Sequence, residues 1–226
     1  YALSFHQFFI SLFVTFIFIK NNKSRNEIMG LKDYFKNSKS NFLKIRIDQA
    51  IGLIPAHLDV VIIGYYADFY SAGIYRIAKK LVDPINYLVV AFSPWMLSQI
   101  EKINFRYLTI KILLPISILL ITFYTLIGNY LIILVAGSEF RESYSPMLLL
   151  LVGYICYLML FWTRHYLFLN NLISKHTIAR LLNLLVFIFS SSFLIESFLY
   201  NGIAVSISLG IFAQKLYELF SYFRKR

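Results

Sequence analysis

The chain has 226 residues, of which 59% are hydrophobic and only 15% charged, and its mean hydropathy is +0.67. Soluble domains are about half apolar and roughly a quarter charged, so this composition excludes an ordinary water-soluble domain and indicates an integral membrane protein. The net charge of +11 does not indicate a nucleic-acid partner, because the basic residues are spread between apolar segments instead of forming one binding face.

Seven apolar segments are long enough to cross a bilayer as helices, which takes about 20 residues each. In chain order they are 1–19, 47–66, 74–97, 112–135, 146–168, 181–199 and 202–220. Hydrocarbon cannot satisfy open backbone groups, so the predicted fold class is an all-α polytopic membrane protein with about seven transmembrane helices. Since only Tyr200 and Asn201 separate the last two segments, we expect a tight helical hairpin there.

Basic residues concentrate in alternate connections between these segments. Seventeen of the 22 fall in the 20–46 connection, around 102–111, around 175–180, and near the C-terminus from Lys215 onward, whereas the opposite connections hold only Arg141. This positive-inside pattern places the basic 20–46 linker and the 221–226 tail in the cytoplasm. Apolar residues among the lysines of 20–46 fit either an interfacial helix or a solvated linker.

Four basic residues fall inside predicted spans: Arg76, Lys79, Lys80 and Arg164. A central Arg or Lys costs about 2.5–3.5 kcal/mol on insertion scales, so such residues normally face a cavity or a partner. Helical spacing aligns Arg76 with both lysines. We expect these cations to bind a phosphate-bearing anion, which suits both residue types. Arg76 and Arg164 alternatively snorkel to the membrane surfaces.

Acidic residues in the spans have two interpretations. Asp59, in the middle of the second span, either binds a coupling proton or sodium ion or neutralises a lysine of the third span. Asp83 follows Lys79 and Lys80 at helical spacing and suits an intrahelical ion pair. Asp48 is expected at the cytoplasmic interface.

The sequence contains no glycine-rich phosphate loop, no HExxH and no paired cysteines, and its four histidines are scattered. No catalytic residue, metal ligand or cofactor is therefore predicted, and the chain is not expected to be an enzyme. It begins at Tyr1 inside an apolar segment without the features of a signal peptide, so we expect an upstream part.

Two segments carry a resemblance to a known family. The stretch DVVIIGYYADFYSAGIYRIAKKLVDP from Asp59, followed by FSPW from Phe92, resembles the polysaccharide-biosynthesis membrane proteins, the O-antigen or Wzx-type flippases. The matching features are Asp59, Gly64, and the A-G-I-Y run at 72–75 after a short external loop. Residues 134–154 resemble the loop and tenth helix of that family, and the likeness covers about residues 45–170.

The resemblance implies two six-helix lobes around a central cavity, similar to MATE-type antiporters and lipid II flippases. Segment 1–19 would end the first lobe, 20–46 would link the lobes, and 47–220 would form the second lobe. Family members move undecaprenyl-pyrophosphate-linked oligosaccharides, the units of O-antigen lipopolysaccharide or capsule, across the bacterial inner membrane. Arg76, Lys79, Lys80 and Arg164 would bind this substrate.

Other partners expected on the same basis are the lipid bilayer, a coupling ion (H⁺ or Na⁺) and other glycan-assembly proteins. Three alternatives stay open. A cation-coupled small-molecule exporter of the same fold would depend on Asp59 more than on the basic residues. A membrane enzyme of glycan assembly, such as a polymerase, would need catalytic residues upstream, and a truncated product would have no function.

Overall fold

A computed structural model of the chain describes residues 31–99 and 105–224. Nearly all of these residues are helical and none of them forms a β-strand, which confirms the predicted all-helical fold for the described ranges. The chain divides into two compact units, Tyr1–Phe42 and Leu43–Arg226. The predicted span 1–19 and residues 20–30 of the predicted linker lie outside the described residues.

The described ranges contain seven helices of eight or more residues. They are α1 (Leu31–Tyr66), α2 (Phe69–Val82), α3 (Pro84–Gln99), α4 (Leu114–Ala136), α5 (Tyr144–Met159), α6 (Phe161–Leu169) and α7 (Ile173–Phe223). A short turn, Phe105–Tyr107, and a π-helical segment, Leu108–Leu113, lead into α4. A 3-10 segment, Ser138–Ser143, connects α4 to α5.

Four helical segments of the described ranges are long and apolar enough to cross a membrane. They are Arg46–Tyr66, Leu108–Ala136, Ser138–Leu169 and Ile173–Phe223. Bilayer hydrocarbon offers no backbone partners, and apolar helical segments of this length are the spanning elements it permits. The chain is therefore a helical membrane protein, although the predicted count of seven spans is not confirmed.

Two predicted spans are interrupted in the structure. The third, 74–97, is divided at Asp83 into α2 and α3, because Pro84 has no N–H to continue the hydrogen-bond ladder. The fifth, 146–168, is divided at Leu160, whose backbone leaves the helical region at φ −115° and ψ 18°. The predicted linker also differs, because α1 is already helical from Leu31.

Helix α7 is folded back on itself at Leu199, where φ is 45° and ψ is −125°. Its first arm (residues 173–198) and its second arm (200–223) are antiparallel. Asn183 Nδ2 on the first arm donates to Gln214 Oε1 on the second at 2.8 Å, and His176 contacts Glu218 further along. The hairpin expected from the short Tyr200–Asn201 connection is confirmed.

Gly202 allows the two arms to meet directly after the reversal. A Cβ at this position would lie 2.3 Å from the Leu194 carbonyl oxygen, which is backbone and cannot rotate away. We expect Gly202→Ala to lower the free energy of unfolding by about 1–3 kcal/mol, the usual cost of overpacking. Thermal unfolding in detergent would measure this effect.

Gly64→Ala in α1 is the matched control, because a Cβ there meets nothing within 4 Å. It should be neutral or stabilise the helix by about 0.5–1 kcal/mol. Equal unfolding temperatures for the two variants would contradict the close approach of the two arms.

The three connections predicted on the external side meet at one end of the Leu43–Arg226 unit. Tyr70 Oη donates to the Glu139 carbonyl at 2.7 Å, and Tyr200 Oη donates to Glu142 Oε2 at 3.1 Å. In the same region the Asp68 carboxylate accepts the Ser71 N–H at 2.6 Å and caps α2, and this bond lowers the pKa of Asp68. The alternation of connections read from the sequence is thus compatible with the helix packing.

Large apolar side chains cover much of the outer surface of this unit. Phe69 is 90% exposed, Leu126 77% and Phe189 70%. Water would not favour such a surface, whereas lipid tails are a suitable solvent for it. Several charged residues instead lie buried between the helices, namely Asp48, Asp59, Lys215 and Glu218.

Candidate functional site

A partly open cavity of about 180 Å³ lies between helices α1, α2, α3, α5, α6 and both arms of α7. Its wall combines apolar residues with cations and amides, the polar ones including Lys79, Arg164, His176, Arg180, Asn183 and Gln214. Buried charges in a membrane protein normally face such a space or one another. This cavity is the candidate site.

Arg164 on α6 reaches the cavity with its charge uncompensated. Its guanidinium lies over the Phe168 ring, 5.4 Å from the centroid, and the described residues form no salt bridge with it. A ring face attracts a cation weakly and does not neutralise it. The planar donors of Arg164 therefore remain suited to an anion in the cavity.

Arg180 on the first arm of α7 joins that arm to α1. Its Nη1 donates to the Asp48 carbonyl at 2.6 Å and lies 3.4 Å from Asp48 Oδ2. Gly52 makes room for the guanidinium, because a Cβ there would lie 2.2 Å from Nη1. Asp48 is fully buried between helices, and its position at the cytoplasmic interface stays a prediction.

Lys79 on α2 enters the cavity wall with a carboxylate partner. Its Nζ pairs with Asp59 Oδ2, and Tyr75 Oη donates to the same oxygen at 2.8 Å. Asp59 and Tyr75 are fully buried, while the Lys79 side chain is 17% exposed. Of the two sequence interpretations of Asp59, this geometry favours the counter-ion.

Glu218 on the second arm of α7 is the centre of a buried polar cluster. Lys215 Nζ donates to its Oε2 at 2.8 Å, and Gln214 Nε2 donates to its Oε1 at 2.9 Å. Thr163 Oγ1 of α6 also donates to Oε2. Lys215 and Glu218 are both fully buried, and the Lys215 ammonium lies 4.7 Å from the centre of the Tyr157 ring.

His176 on the first arm connects this cluster to Asp48. Its Nδ1 is 2.9 Å from Glu218 Oε1, and its Nε2 is 3.7 Å from Asp48 Oδ2. The ring is fully buried. Among the described residues, Nε2 and both Asp48 carboxylate oxygens have no hydrogen-bond partner, which is unusual for buried polar atoms.

The four predicted substrate-binding cations do not come together. Lys79 and Arg164 both line the cavity, whereas Arg76 and Lys80 are exposed on α2 and do not line it. Asp83 lies half-buried in the turn before α3 and, within the described ranges, forms no direct ion pair with either lysine. Lys79 pairs with Asp59, which is one of the two interpretations of Asp59 read from the sequence.

Sequence reasoning missed Arg180, His176, Lys215 and Glu218. Arg180 and Lys215 were assigned to cytoplasmic connections, but both lie within α7, and Lys215 is fully buried. The available signal was the spacing of Gln214, Lys215 and Glu218, which puts polar side chains on one face of an apolar helix. Burial of one face by the first arm of α7 turned that stripe into an internal cluster.

The charges at and around the cavity leave a positive excess. Lys79, Lys215 and Arg180 each have a carboxylate partner, and Arg164 has none among the described residues. Amides of Asn86, Asn183 and Gln214 add hydrogen-bonding groups to the wall. Such a set is chemically suited to an anion.

Within the described ranges, no group of three or more His, Cys, Asp or Glu side chains is arranged to hold a metal ion. Comparison of the chain with models of protein families, with curated proteins and with solved structures gave no match.

Proposed function

We propose that this chain is part of a flippase that moves an undecaprenyl-pyrophosphate-linked oligosaccharide, an O-antigen or capsule unit, across the bacterial inner membrane by alternating access. The observation that carries this proposal is the cavity between the helices, lined by Lys79, Arg180 and Arg164, of which Arg164 has no salt-bridge partner among the described residues. The sequence resemblance to Wzx-type flippases gives the class of cargo.

The chemistry of the cavity suits a diphosphate. Arg164 and Arg180 supply planar forks that match phosphate oxygens, and Lys79 supplies a point charge. A cavity of about 180 Å³ is below the roughly 300 Å³ at which drug-sized ligand pockets begin. We therefore assign it to the diphosphate group, while the lipid stays in the bilayer and the sugars extend into space lined by other parts of the protein.

Removing the charge of Arg164 tests the proposal. In the intact protein, Arg164→Gln should reduce transport of the lipid-linked oligosaccharide into membrane vesicles at least about tenfold, because one charge-assisted contact is worth about 1.5–3 kcal/mol. The amount of protein in the membrane should not change. Arg76→Gln and Lys80→Gln are matched controls, since they remove the same charge from exposed positions outside the cavity wall.

Two results would contradict the proposal in different ways. Full transport by Arg164→Gln would remove the phosphate role of the cavity. An equal loss in the two controls would show that overall charge, and not this cavity, determines transport. Either result would contradict the assignment of the cavity to the diphosphate group.

A cation-coupled exporter of small molecules is the second candidate. The observation that favours it is Asp48, a fully buried carboxylate whose oxygens accept no hydrogen bond among the described residues, although Arg180 forms an ion pair with it. Transport of a small cationic dye driven by a proton or sodium gradient, lost in Asp48→Asn, would support it over the flippase.

A further inference from the structure

His176 lies between two buried carboxylates on two different helices. Asp48 belongs to α1 and Glu218 to the second arm of α7, and all three side chains are fully buried. The ring also lines the cavity assigned to the diphosphate. A change of charge on His176 therefore alters both the electrostatic energy of the contact between these helices and that of a ligand in the cavity.

The hydrogen bond to Glu218 determines which ring nitrogen of His176 can take up a proton. An ionised Glu218 only accepts, so the contact of 2.9 Å requires His176 Nδ1 to carry the hydrogen. In the neutral ring, Nε2 then presents a lone pair toward Asp48 Oδ2 at 3.7 Å, and two acceptors face each other. This explains why Nε2 has no hydrogen-bond partner among the described residues, while Asp48 Oδ2 keeps its ion pair with Arg180.

We propose that His176 Nε2 takes up a proton when the anionic substrate enters the cavity, so that proton binding and diphosphate binding are coupled. Protonation converts the opposed acceptors into an N–H donor facing a carboxylate. Charge-assisted bonds of this kind are about 2.7–2.9 Å long, so α1 and α7 would approach each other by roughly 1 Å. The inference rests on the proposed function, because it assigns a coupling ion to the same site.

Coupling follows from the sign of the charges. An imidazolium in the wall adds a positive charge beside Arg164 and Arg180, which strengthens anion binding, and by linkage a bound anion strengthens proton binding equally. The charged or titratable groups that surround the ring are Asp48 on α1, Arg164 and His165 on α6, Arg180 on its own arm, and Lys215 and Glu218 on the opposite arm. Burial of the ring and the positive charge of Arg180 oppose proton uptake in the empty cavity, Glu218 and Asp48 favour it, and a bound dianion adds to the favourable side.

The test uses a short dialkyl diphosphate diester, whose two negative charges stay fixed near neutral pH. Its binding to the purified intact protein would be measured by calorimetry at about pH 6 and about pH 8, in buffers that differ in ionisation enthalpy. We expect binding to be about tenfold tighter at the lower pH, with proton uptake of up to one per ligand. His176→Gln should keep less than about twofold dependence on pH and take up no proton.

Two further variants control the result. His57→Gln removes an exposed histidine of α1 and should retain the pH dependence of the unaltered protein. Asp48→Asn keeps His176 but removes the carboxylate that accepts the hydrogen bond of its protonated Nε2, so it should weaken the pH dependence even if His176→Gln does not fold.

The outcomes separate the two proposals. Diester binding with the same pH dependence in His176→Gln and in the unaltered protein would overturn the coupling and leave the flippase proposal intact. No diester binding by the unaltered protein at any pH would overturn the diphosphate site and the coupling together. Imidazole nitrogen NMR gives an independent result, because a His176 ring that stays neutral at saturating diester would also overturn the coupling.

Discussion

Glu218→Leu is expected to destabilise the protein by about 3–5 kcal/mol, the cost of leaving one member of a buried ion pair without its partner. Glu218 accepts hydrogen bonds from Lys215, Gln214, His176 and Thr163, and Lys215 is fully buried. The loss would leave a buried ammonium uncompensated. Thermal unfolding in detergent should show a marked fall in the midpoint.

The double variant Lys215→Met, Glu218→Leu should recover much of this loss, because replacing both members of a buried pair by apolar residues is often neutral. Glu196→Leu is the matched control, since Glu196 is exposed on the first arm of α7 and should change stability by no more than about 0.5 kcal/mol. Equal effects at Glu196 and Glu218 would show that the buried cluster does not stabilise the fold.

Asp59→Asn is expected to reduce stability by an amount of the same order, roughly 3–5 kcal/mol at most, because Lys79 loses its counter-ion inside the helix bundle. Tyr75 Oη would keep a neutral acceptor in place of a charged one. The experiment would measure unfolding and transport in the same preparations. These values would be compared with those of a variant that also lacks the positive charge of Lys79.

Asp59→Asn combined with Lys79→Gln distinguishes the two roles of Asp59. If Asp59 is the counter-ion, the double variant should regain stability, and its transport should lie no lower than that of Lys79→Gln alone. If Asp59 binds a coupling cation, transport should stay lost in the double variant even when stability returns. That second result would favour the small-molecule exporter and contradict the pairing interpretation.

The charged residues of α2 show where sequence reasoning reached its limit. Helical spacing predicts that Arg76 shares a face with both Lys79 and Lys80, yet only Lys79 enters the cavity. Successive residues of an α-helix point about 100° apart, since there are 3.6 residues per turn. A single helix therefore cannot tell which of two adjacent lysines faces inward, because its rotation is set by the neighbours that pack on it.

The contacts of His176 with Asp48 and Glu218 could not be predicted from the sequence for a related reason. Asp48, His176 and Glu218 are far apart in the chain and lie on α1 and on the two arms of α7. Each is a polar residue near the end of an apolar segment, where an interfacial position is the ordinary expectation. Only the fold-back at Leu199 and the packing of α1 against it bring the three together.

The amino-acid sequence alone determined that this is a helical membrane protein, where most of its apolar segments lie, and that α7 must reverse near Tyr200. These properties depend on composition summed over about 20 residues, which neighbours in space do not alter. The tertiary structure decided which cations share a cavity, which carboxylates pair with them, and which cation has no carboxylate partner among the described residues. Those outcomes depend on the rotation and contact of helices from distant parts of the chain, which no local pattern specifies.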